Sequence, residues 1–287
     1  MNLGRTVGGW VREAKRGLGY YRLRASLFAP RFDRALRPTD VFLVGHPKSG
    51  NTWLAYMLAV LAAQDDGDDI TLANVGRFVP FVHGRDHRIE GYEHLPDPRV
   101  FRNEYPLYAD RYPKTIYLVR DPRAVLPSLW EMYRTMRGDR TLGFERFLEQ
   151  YLQRRGVFRH WNSELVRWDR QVDAALRRAD GDPRFQVVRY ESMVADRRAV
   201  LVSLAALLGL EPPETRIDQA VERGSFEAMR DLEDRHGAEA YLGRAEGTGR
   251  FVRKGATDGW RDELSVAAIA RIEAELGWAM RRAGYLA

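Results

Sequence analysis

A short segment near residue 45 combines the residues of a phosphate-binding turn. Gly45 and Gly50 frame a turn that follows a four-residue apolar run, and Thr52 begins a second apolar run. In a strand–turn–helix unit, backbone N–H groups and the positive end of the helix bind a phosphate group. The spacing is that of a P-loop, except that Asn51 stands at the lysine position and Lys48 lies inside the turn. An ordinary nucleoside triphosphate is therefore a poor ligand, because no lysine at 51 pairs with its β- and γ-phosphates.

A second group pairs a guanidinium with a hydroxyl. Arg120 ends an apolar run, and Ser128 follows at a distance that a turn and about one and a half helical turns can close. Together the two side chains suit a phosphate monoester. The same residues also fit a plain helix start, with Asp121 as the cap and Pro122 at the first position.

A third group lies near the C-terminus, where Arg253 and Lys254 directly precede Gly255. Adjacent cations favour an anion, and the glycine permits a close approach of the backbone. By itself this segment equally fits a solvated basic loop.

Secondary-structure elements between the three groups must bring them together. Strand-like and helix-like segments alternate along the chain. The strands predicted in this way are Val41 to Val44, Arg99 to Phe101, Thr115 to Val119 and Phe185 to Val188. The predicted helices are Thr52 to Ala63, Ala124 to Arg134, Phe144 to Arg155, Trp161 to Arg178, and Arg197 to Leu208, which Gly209 closes. This order predicts a single α/β domain with a central parallel β-sheet flanked by helices. Ligands of such sheets bind at the carboxyl ends of the strands, where Gly45, Arg120 and Tyr190 all fall.

Composition narrows the function further. The chain has 287 residues, 45% of them hydrophobic, with a net charge of +6 and a pI near 9.6, which favours anionic ligands. It has no cysteine, so disulfides, thiolate metal sites and a cysteine nucleophile are excluded. No motif of nucleic-acid binding accompanies the positive charge, and we expect no nucleic-acid partner. Neither an apolar run of about 20 residues nor a secretory signal is evident, and cytoplasmic residence is the default expectation.

Residues 1–37 concentrate arginine and lysine among apolar side chains such as Trp10 and Tyr21. Two arrangements fit this basic amphipathic segment: packing against the domain, or peripheral contact with an anionic membrane surface. Packing against the domain is the simpler expectation. The domain itself is predicted to occupy residues 38–287.

Taken in order, the three groups resemble the binding pattern of sulfotransferases that use 3′-phosphoadenosine 5′-phosphosulfate (PAPS). The segment from Pro47 to Trp53 resembles their 5′-phosphosulfate loop, Arg120 with Ser128 their 3′-phosphate pair, and residues 253–255 their Arg-Lys-Gly segment. The resemblance implies PAPS as co-substrate, 3′-phosphoadenosine 5′-phosphate (PAP) as product, and no metal. It also implies adenine contacts from three aromatic residues and a neighbouring serine. The implied binding residues are Lys48, Ser49, Gly50, Asn51, Thr52, Trp53, Arg120, Ser128, Tyr190, Ser225, Phe226, Arg253, Lys254 and Gly255.

The general base is where the chain departs from the commonest family pattern. Cytosolic members carry Lys-Thr-His-Leu-Pro after a short strand, and here the segment from Pro98 to Pro106 places Glu104 at the histidine position. A carboxylate can remove a hydroxyl proton, and several carbohydrate-directed members of the family use glutamate. His94, in a literal His-Leu-Pro, is the second candidate, because it precedes the strand instead of following it.

The resemblance implies in-line displacement at sulfur, with Glu104 as base, Lys48 stabilising the leaving oxygen and Arg102 contacting sulfuryl oxygens. The acceptor would be a hydroxyl of a small molecule, glycan or glycolipid, framed by residues 71–94 and 132–168. Candidate aromatic residues for that pocket are Phe78, Phe81, Tyr133, Phe147, Phe158 and Trp161.

Two other functions stay open on this sequence: a P-loop nucleotide kinase, and a non-catalytic nucleotide-binding protein of the same fold. The family's C-terminal dimer segment is incomplete in residues 261–270, which lack its final acid, so the oligomeric state is undetermined.

Overall fold

The computed structural model describes residues 29–63, 70–82, 88–104, 109–137, 141–153, 158–160, 163–242, 255 and 257–287. Residues 29–35 are helical, whereas residues 1–28 lie outside the described part. Ala29 and Phe32 pack in the core, whereas the contacts of residues 1–28 with the domain or a membrane stay a prediction. Among the helices of the described residues, none is both long and apolar enough to cross a membrane.

A four-stranded parallel sheet forms the centre of the molecule, in the order β2-β1-β3-β6. Its strands are β1 (Val41–Gly45), β2 (Val100–Asn103), β3 (Lys114–Val119) and β6 (Phe185–Arg189). The predicted parallel α/β sheet is thus confirmed. Each predicted strand is present, and its observed bounds lie within two residues of the expected ones.

Helices cover both faces of this sheet. They are α1 (Asn51–Ala62), α2 (Pro122–Arg137), α3 (Phe144–Gln153), α4 (Trp168–Ala179), α5 (Tyr190–Ala195), α6 (Arg197–Leu208), α7 (Glu214–Arg223), α8 (Phe226–Leu242), α9 (Trp260–Glu263) and α10 (Val266–Arg282). Side chains alternate along each strand, so β1 places Val41 and Leu43 in one core and Phe42 and Val44 in the other. The first core contains α1, α6 and α7, and the second contains α2, α3, α4 and α10.

One predicted helix, Trp161 to Arg178, begins later in the chain than expected. Residues expected to begin a helix at Trp161 instead include strand β5 (Ser163–Leu165), which pairs antiparallel with β4 (Phe158–His160), and the helix begins only at Trp168. Short apolar runs do not distinguish a strand from a helix, and pairing with a neighbouring segment decides between them.

The parallel sheet brings the carboxyl ends of its four strands to the same side of the molecule, which is called the sheet edge below. Gly45 ends β1, Glu104 follows β2, Arg120 follows β3 and Tyr190 follows β6. Because β1 has β2 on one side and β3 on the other, the chain changes direction across β1, and the crevice at such a point is the usual ligand position.

Candidate functional site

The turn between β1 and α1 is built closely against its neighbours. A Cβ atom on Gly45 would lie 2.3 Å from the Asn51 Oδ1 atom and 2.7 Å from the Leu118 carbonyl oxygen. Gly50 has a φ of 102°, and a Cβ there would lie 2.9 Å from the Tyr190 ring. Both positions therefore require glycine, as the turn motif predicted.

This turn offers hydrogen-bond donors to a ligand. The Ser49 side chain is fully buried, and its hydroxyl has no hydrogen-bond partner among the described residues. Helix α1 starts at Asn51, and the first N–H groups of a helix have no carbonyl partner within it. An anion in the turn would satisfy these donors, so the arrangement fits a phosphate or phosphosulfate group.

Arg120, directly after β3, lies beside this turn. Its guanidinium stacks 3.9 Å from the centre of the Tyr190 ring, and its Nη1 group donates to the Lys48 carbonyl oxygen at 3.4 Å. The buried Nε atom has no hydrogen-bond partner, and no described carboxylate forms an ion pair with this arginine. Arg120 is thus a partly buried cation that still has donors to give, which is the property of an anion-binding residue.

Ser128 lies half-buried on α2, which begins at Pro122 after Asp121. The Asp121 carboxylate accepts from the Arg123 backbone N–H at 2.8 Å, as an N-cap residue does. The turn therefore acts as a helix start and also places Arg120 at the edge of the sheet.

The predicted adenine-binding residues come together on the same side. The Trp53 and Tyr190 ring centres are 5.4 Å apart, and the Trp53 indole donates to the Gly224 carbonyl oxygen at 2.8 Å. Next in the chain, the Ser225 hydroxyl caps α8 by accepting from the Ala228 backbone N–H.

Phe226 begins α8 and meets the C-terminal segment. Gly255 has a φ of 64°, and a Cβ atom there would lie 2.4 Å from the Phe226 ring. The glycine of the Arg-Lys-Gly segment thus packs directly on Phe226, which is a predicted adenine contact. Arg253 and Lys254 lie outside the described residues, and their predicted roles stay predictions.

Glu104 follows β2 and lies next to the phosphate turn. The Asn51 side-chain amide donates to a Glu104 carboxylate oxygen at 3.3 Å and to the carbonyl oxygens of Gly45 and His46 at 3.3 and 3.2 Å. Burial raises the pKa of the Glu104 carboxyl above its ordinary value, while the positive charges of Arg102 and Lys48 and the Asn51 hydrogen bond oppose this rise. A carboxylate at the sheet edge with a raised pKa has the properties of a proton acceptor.

His94 has a different setting. Its side chain is exposed in the turn before β2, and its ring lies 6.3 Å from that of Tyr92. The turn position agrees with the reason for ranking His94 second, although the identity of the base stays a prediction.

Arg102, on β2, connects the turn to the predicted acceptor segment. Its Nη1 group donates to the Thr52 hydroxyl at 2.7 Å, and its guanidinium lies 4.6 Å from the centre of the Phe81 ring. Backbone hydrogen bonds also tie residues 80–82 to β2 at Arg102. Phe81 is therefore held beside the sheet edge.

The other acceptor-pocket candidates divide into three groups. Phe78 is partly exposed, as Phe81 is, whereas Tyr133 and Phe147 are buried in the core among α2 and α3. The side chains of Phe158 and Trp161 lie outside the described part. Within the described residues, no three or more His, Asp or Glu side chains group so as to hold a metal ion.

Several contacts of the site involve residues that no motif indicated. His46 precedes the turn and meets Tyr151 of α3, whose hydroxyl lies 3.3 Å from the His46 Nε2 atom. Trp168 donates from its indole to the Arg120 carbonyl oxygen at 3.0 Å, and Gln171 donates to the Glu104 carbonyl oxygen at 3.1 Å. Of these residues, His46 alone had a local signal, namely its position beside the turn.

Comparison with protein families gives a match over almost the whole domain. Residues 38–284 match the family model described as the sulfotransferase domain. Amine sulfotransferase of Oryctolagus cuniculus is 25% identical over 253 residues, which cover 84% of this chain and 80% of the relative. The 3-beta-hydroxysteroid sulfotransferase of Cavia porcellus is 23% identical over 255 residues, covering 84% and 85%.

Solved structures show the same fold. Retinol dehydratase in complex with androsterone and inactive cofactor PAP superposes with a TM-score of 0.66 at 19% identity, covering 88% of this chain and 85% of that one. Mouse sulfotransferase SULT7A1 complexed with PAP gives a TM-score of 0.63 at 20% identity, with 86% of each chain covered.

Proposed function

Because this chain belongs to the sulfotransferase domain family, we propose that it transfers the sulfuryl group of PAPS to an acceptor hydroxyl. The observation that carries the proposal is the pair of unsatisfied donors at the sheet edge. The Ser49 hydroxyl and the Arg120 Nε group belong to separate elements, and each is buried without a hydrogen-bond partner in the described part of the chain. Two such donors fit a ligand with two separate anionic groups, as PAPS has at its 5′ and 3′ positions.

Each end of the co-substrate has its own binding residues in this proposal. The turn from Lys48 to Thr52 holds the 5′ group through backbone N–H groups and the Ser49 hydroxyl. Arg120 and Ser128 hold the 3′-phosphate, joined by Arg253 and Lys254. Trp53, Tyr190, Ser225 and Phe226 hold the adenine, and Gly255 closes against the Phe226 ring.

The co-substrate supplies a sulfuryl group bonded to a phosphate oxygen, and this bond breaks as the acceptor oxygen bonds to sulfur. Glu104 accepts the proton that the acceptor hydroxyl gives up, from its position beside the turn. The positive charge of Lys48 stabilises the negative charge that develops on this phosphate oxygen. Arg102, held by the Thr52 hydroxyl and the Phe81 ring, binds sulfuryl oxygens.

The acceptor is a hydroxyl of a small molecule, a glycan or a glycolipid. Phe78 and Phe81 are partly exposed on the segment that joins β2, so they offer apolar surface to the carbon skeleton of a small molecule. Two proteins in the comparison carry names that refer to amine and hydroxysteroid acceptors. A panel of apolar alcohols, amines, sugars and glycolipids with labelled PAPS would separate these classes.

Binding and turnover together test the proposal. PAP should raise the melting temperature without magnesium, whereas ADP, which lacks the 3′-phosphate, should raise it much less. Lys48→Ala should lower kcat by about 100-fold, roughly 3 kcal/mol, with a smaller effect on PAP binding. Lys114→Ala is the matched control, because Lys114 binds the Leu207 carbonyl oxygen at the opposite end of β3.

Equal stabilisation by ADP and PAP would contradict the 3′-phosphate site. Stabilisation by ATP with magnesium and phosphoryl transfer would favour a nucleotide kinase. PAP binding without transfer to any acceptor would favour a non-catalytic nucleotide-binding protein.

A further inference from the structure

The lysine of the phosphate turn has a backbone conformation that is costly for a residue with a side chain. Lys48 has a φ of 71°, the single positive φ of a residue other than glycine in the described part of the chain. Such a conformation persists only where surrounding groups hold it. Both peptide carbonyls that flank the Lys48 Cα are held by side chains. The His46 Nδ1 atom lies 3.0 Å from the Pro47 oxygen, and Arg120 donates to the Lys48 oxygen at 3.4 Å.

These two side chains share a support in α4. The Trp168 backbone N–H donates to the Tyr151 hydroxyl at 2.8 Å, and that hydroxyl lies 3.3 Å from the His46 Nε2 atom. The Trp168 indole donates to the Arg120 carbonyl oxygen at 3.0 Å. His46, Tyr151 and Trp168 are all at most 1% exposed, so water does not compete for these contacts.

Hydrogen-bond polarity along this series of contacts favours one protonation state of His46. The Pro47 carbonyl oxygen only accepts, so the His46 Nδ1 atom carries the hydrogen of this contact. The Trp168 N–H only donates, so the Tyr151 oxygen accepts from it and its own O–H can donate to the His46 Nε2 atom. With that donation, the ring is a neutral imidazole with hydrogen on Nδ1.

We propose that His46 and Tyr151 are positioning residues for Lys48, an inference that rests on the proposed function. In a trans peptide the carbonyl and the N–H point in opposite directions. A hydrogen bond from His46 to the Pro47 oxygen therefore fixes the direction of the Lys48 N–H as well. The series of hydrogen bonds from Trp168 through Tyr151 to His46 holds the turn in its ligand-binding shape before the co-substrate binds. This removes the entropic cost of ordering the turn from the reaction.

The first test reads the His46 ring directly. Long-range ¹H–¹⁵N NMR of the wild-type protein at neutral pH should show the neutral Nδ1–H form, with the signal assigned by its loss in His46→Asn. Tyr151→Phe should allow both neutral forms, because the variant removes the hydroxyl that lies 3.3 Å from the Nε2 atom. An Nε2–H ring or an imidazolium in the wild type would overturn the inference, and so would an unchanged His46 signal in Tyr151→Phe.

The second test compares two amide replacements of the same ring. Asn places an N–H donor near the Nδ1 position, and Gln places its polar group near Nε2, so the two variants separate the contacts. His46→Gln should lower kcat by about 10-fold, and His46→Asn by about 2-fold, which corresponds to one buried hydrogen bond lost or kept. The PAP dissociation constant should change less than kcat in both variants.

A comparison of kcat at a temperature below both melting transitions separates a positioning role of His46 from a role in stability alone. A purely structural role predicts that kcat below the melting transition is equal in the two variants, and this result would overturn the inference. Failure of the proposed function has a different signature: the wild-type protein would transfer no sulfuryl group, although the NMR signal would still report the His46 ring.

Discussion

Two neighbouring regions of this molecule use arginine in opposite ways. The C-terminal clamp, formed by Asp121, Arg123, Glu191, Glu273 and Tyr285, satisfies its charges internally. Arg123 donates to the Asp121 carboxylate at 2.7 Å, to Glu273 at 2.6 Å and to the Tyr285 carbonyl oxygen at 3.2 Å. Glu191 accepts from the Asp121 backbone N–H and from the Tyr285 hydroxyl. This clamp fastens the end of the chain to the residues that follow β3 and β6.

Arg120, three residues before Arg123, has no such partner within the described residues. It contacts the Tyr190 ring and a carbonyl oxygen, and its Nε group is buried without an acceptor. A partly buried cation without a carboxylate partner costs stability, and a bound anion would remove that cost. Compensated charges therefore hold the fold, whereas the uncompensated charge of Arg120 is available to a ligand.

The same substitution made in both regions tests whether the two arginines have these different roles. Arg123→Gln should lower the free energy of unfolding by about 3 kcal/mol or more, because it leaves the buried Asp121 carboxylate without its ion-pair partner. Arg120→Gln should change it by less than about 1 kcal/mol but weaken PAP binding by about 10- to 30-fold, the loss of a charge-assisted hydrogen bond. Urea unfolding and PAP titration of both variants measure these effects. Equal stability losses, or PAP affinity that depends on Arg123 alone, would contradict the division.

Glu104 extends the comparison from cations to a carboxylate. Glu104→Gln keeps the size of the side chain but cannot accept a proton, so kcat should fall by about 100-fold with PAP affinity nearly unchanged. His94→Gln is the control, because His94 is exposed and should cost little. An active Glu104→Gln variant beside an inactive His94→Gln variant would reverse the assignment of the base.

The features that the sequence predicted well are those whose physics is local. Helix α6 has the predicted bounds, since Asp196 caps its start and Gly209, with a φ of 74°, ends it. The turn between β1 and α1 is similarly encoded by Gly45, Lys48 and Gly50, which lie within six consecutive residues. Such signals need no knowledge of the rest of the chain.

The features that the sequence did not predict depend on contacts between residues that are far apart in the sequence. His46 and Tyr151 are 105 positions apart, and Arg123 and Glu273 are 150 positions apart, so neither contact leaves a periodic pattern. Strand β5 was wrongly predicted as helix for a related reason, because pairing with β4 decides the conformation of a short apolar run. Packing of whole elements creates these contacts.

The pH dependence of activity and of melting temperature tests whether the negative charge of Glu104 is poorly compensated. Burial raises the pKa of its carboxyl, so activity should fall on acidification with a midpoint above the ordinary glutamate value of about 4.3. A raised pKa in the folded state favours the protonated form. The contribution of Glu104 to stability is therefore fully present below the unfolded-state pKa and is lost as the pH rises through the folded-state pKa. Glu104→Gln should consequently melt at a higher temperature than the wild type at pH 7, and the difference should disappear near pH 4. A lower melting temperature for Glu104→Gln at pH 7 would show instead that the carboxylate is compensated, as in the clamp.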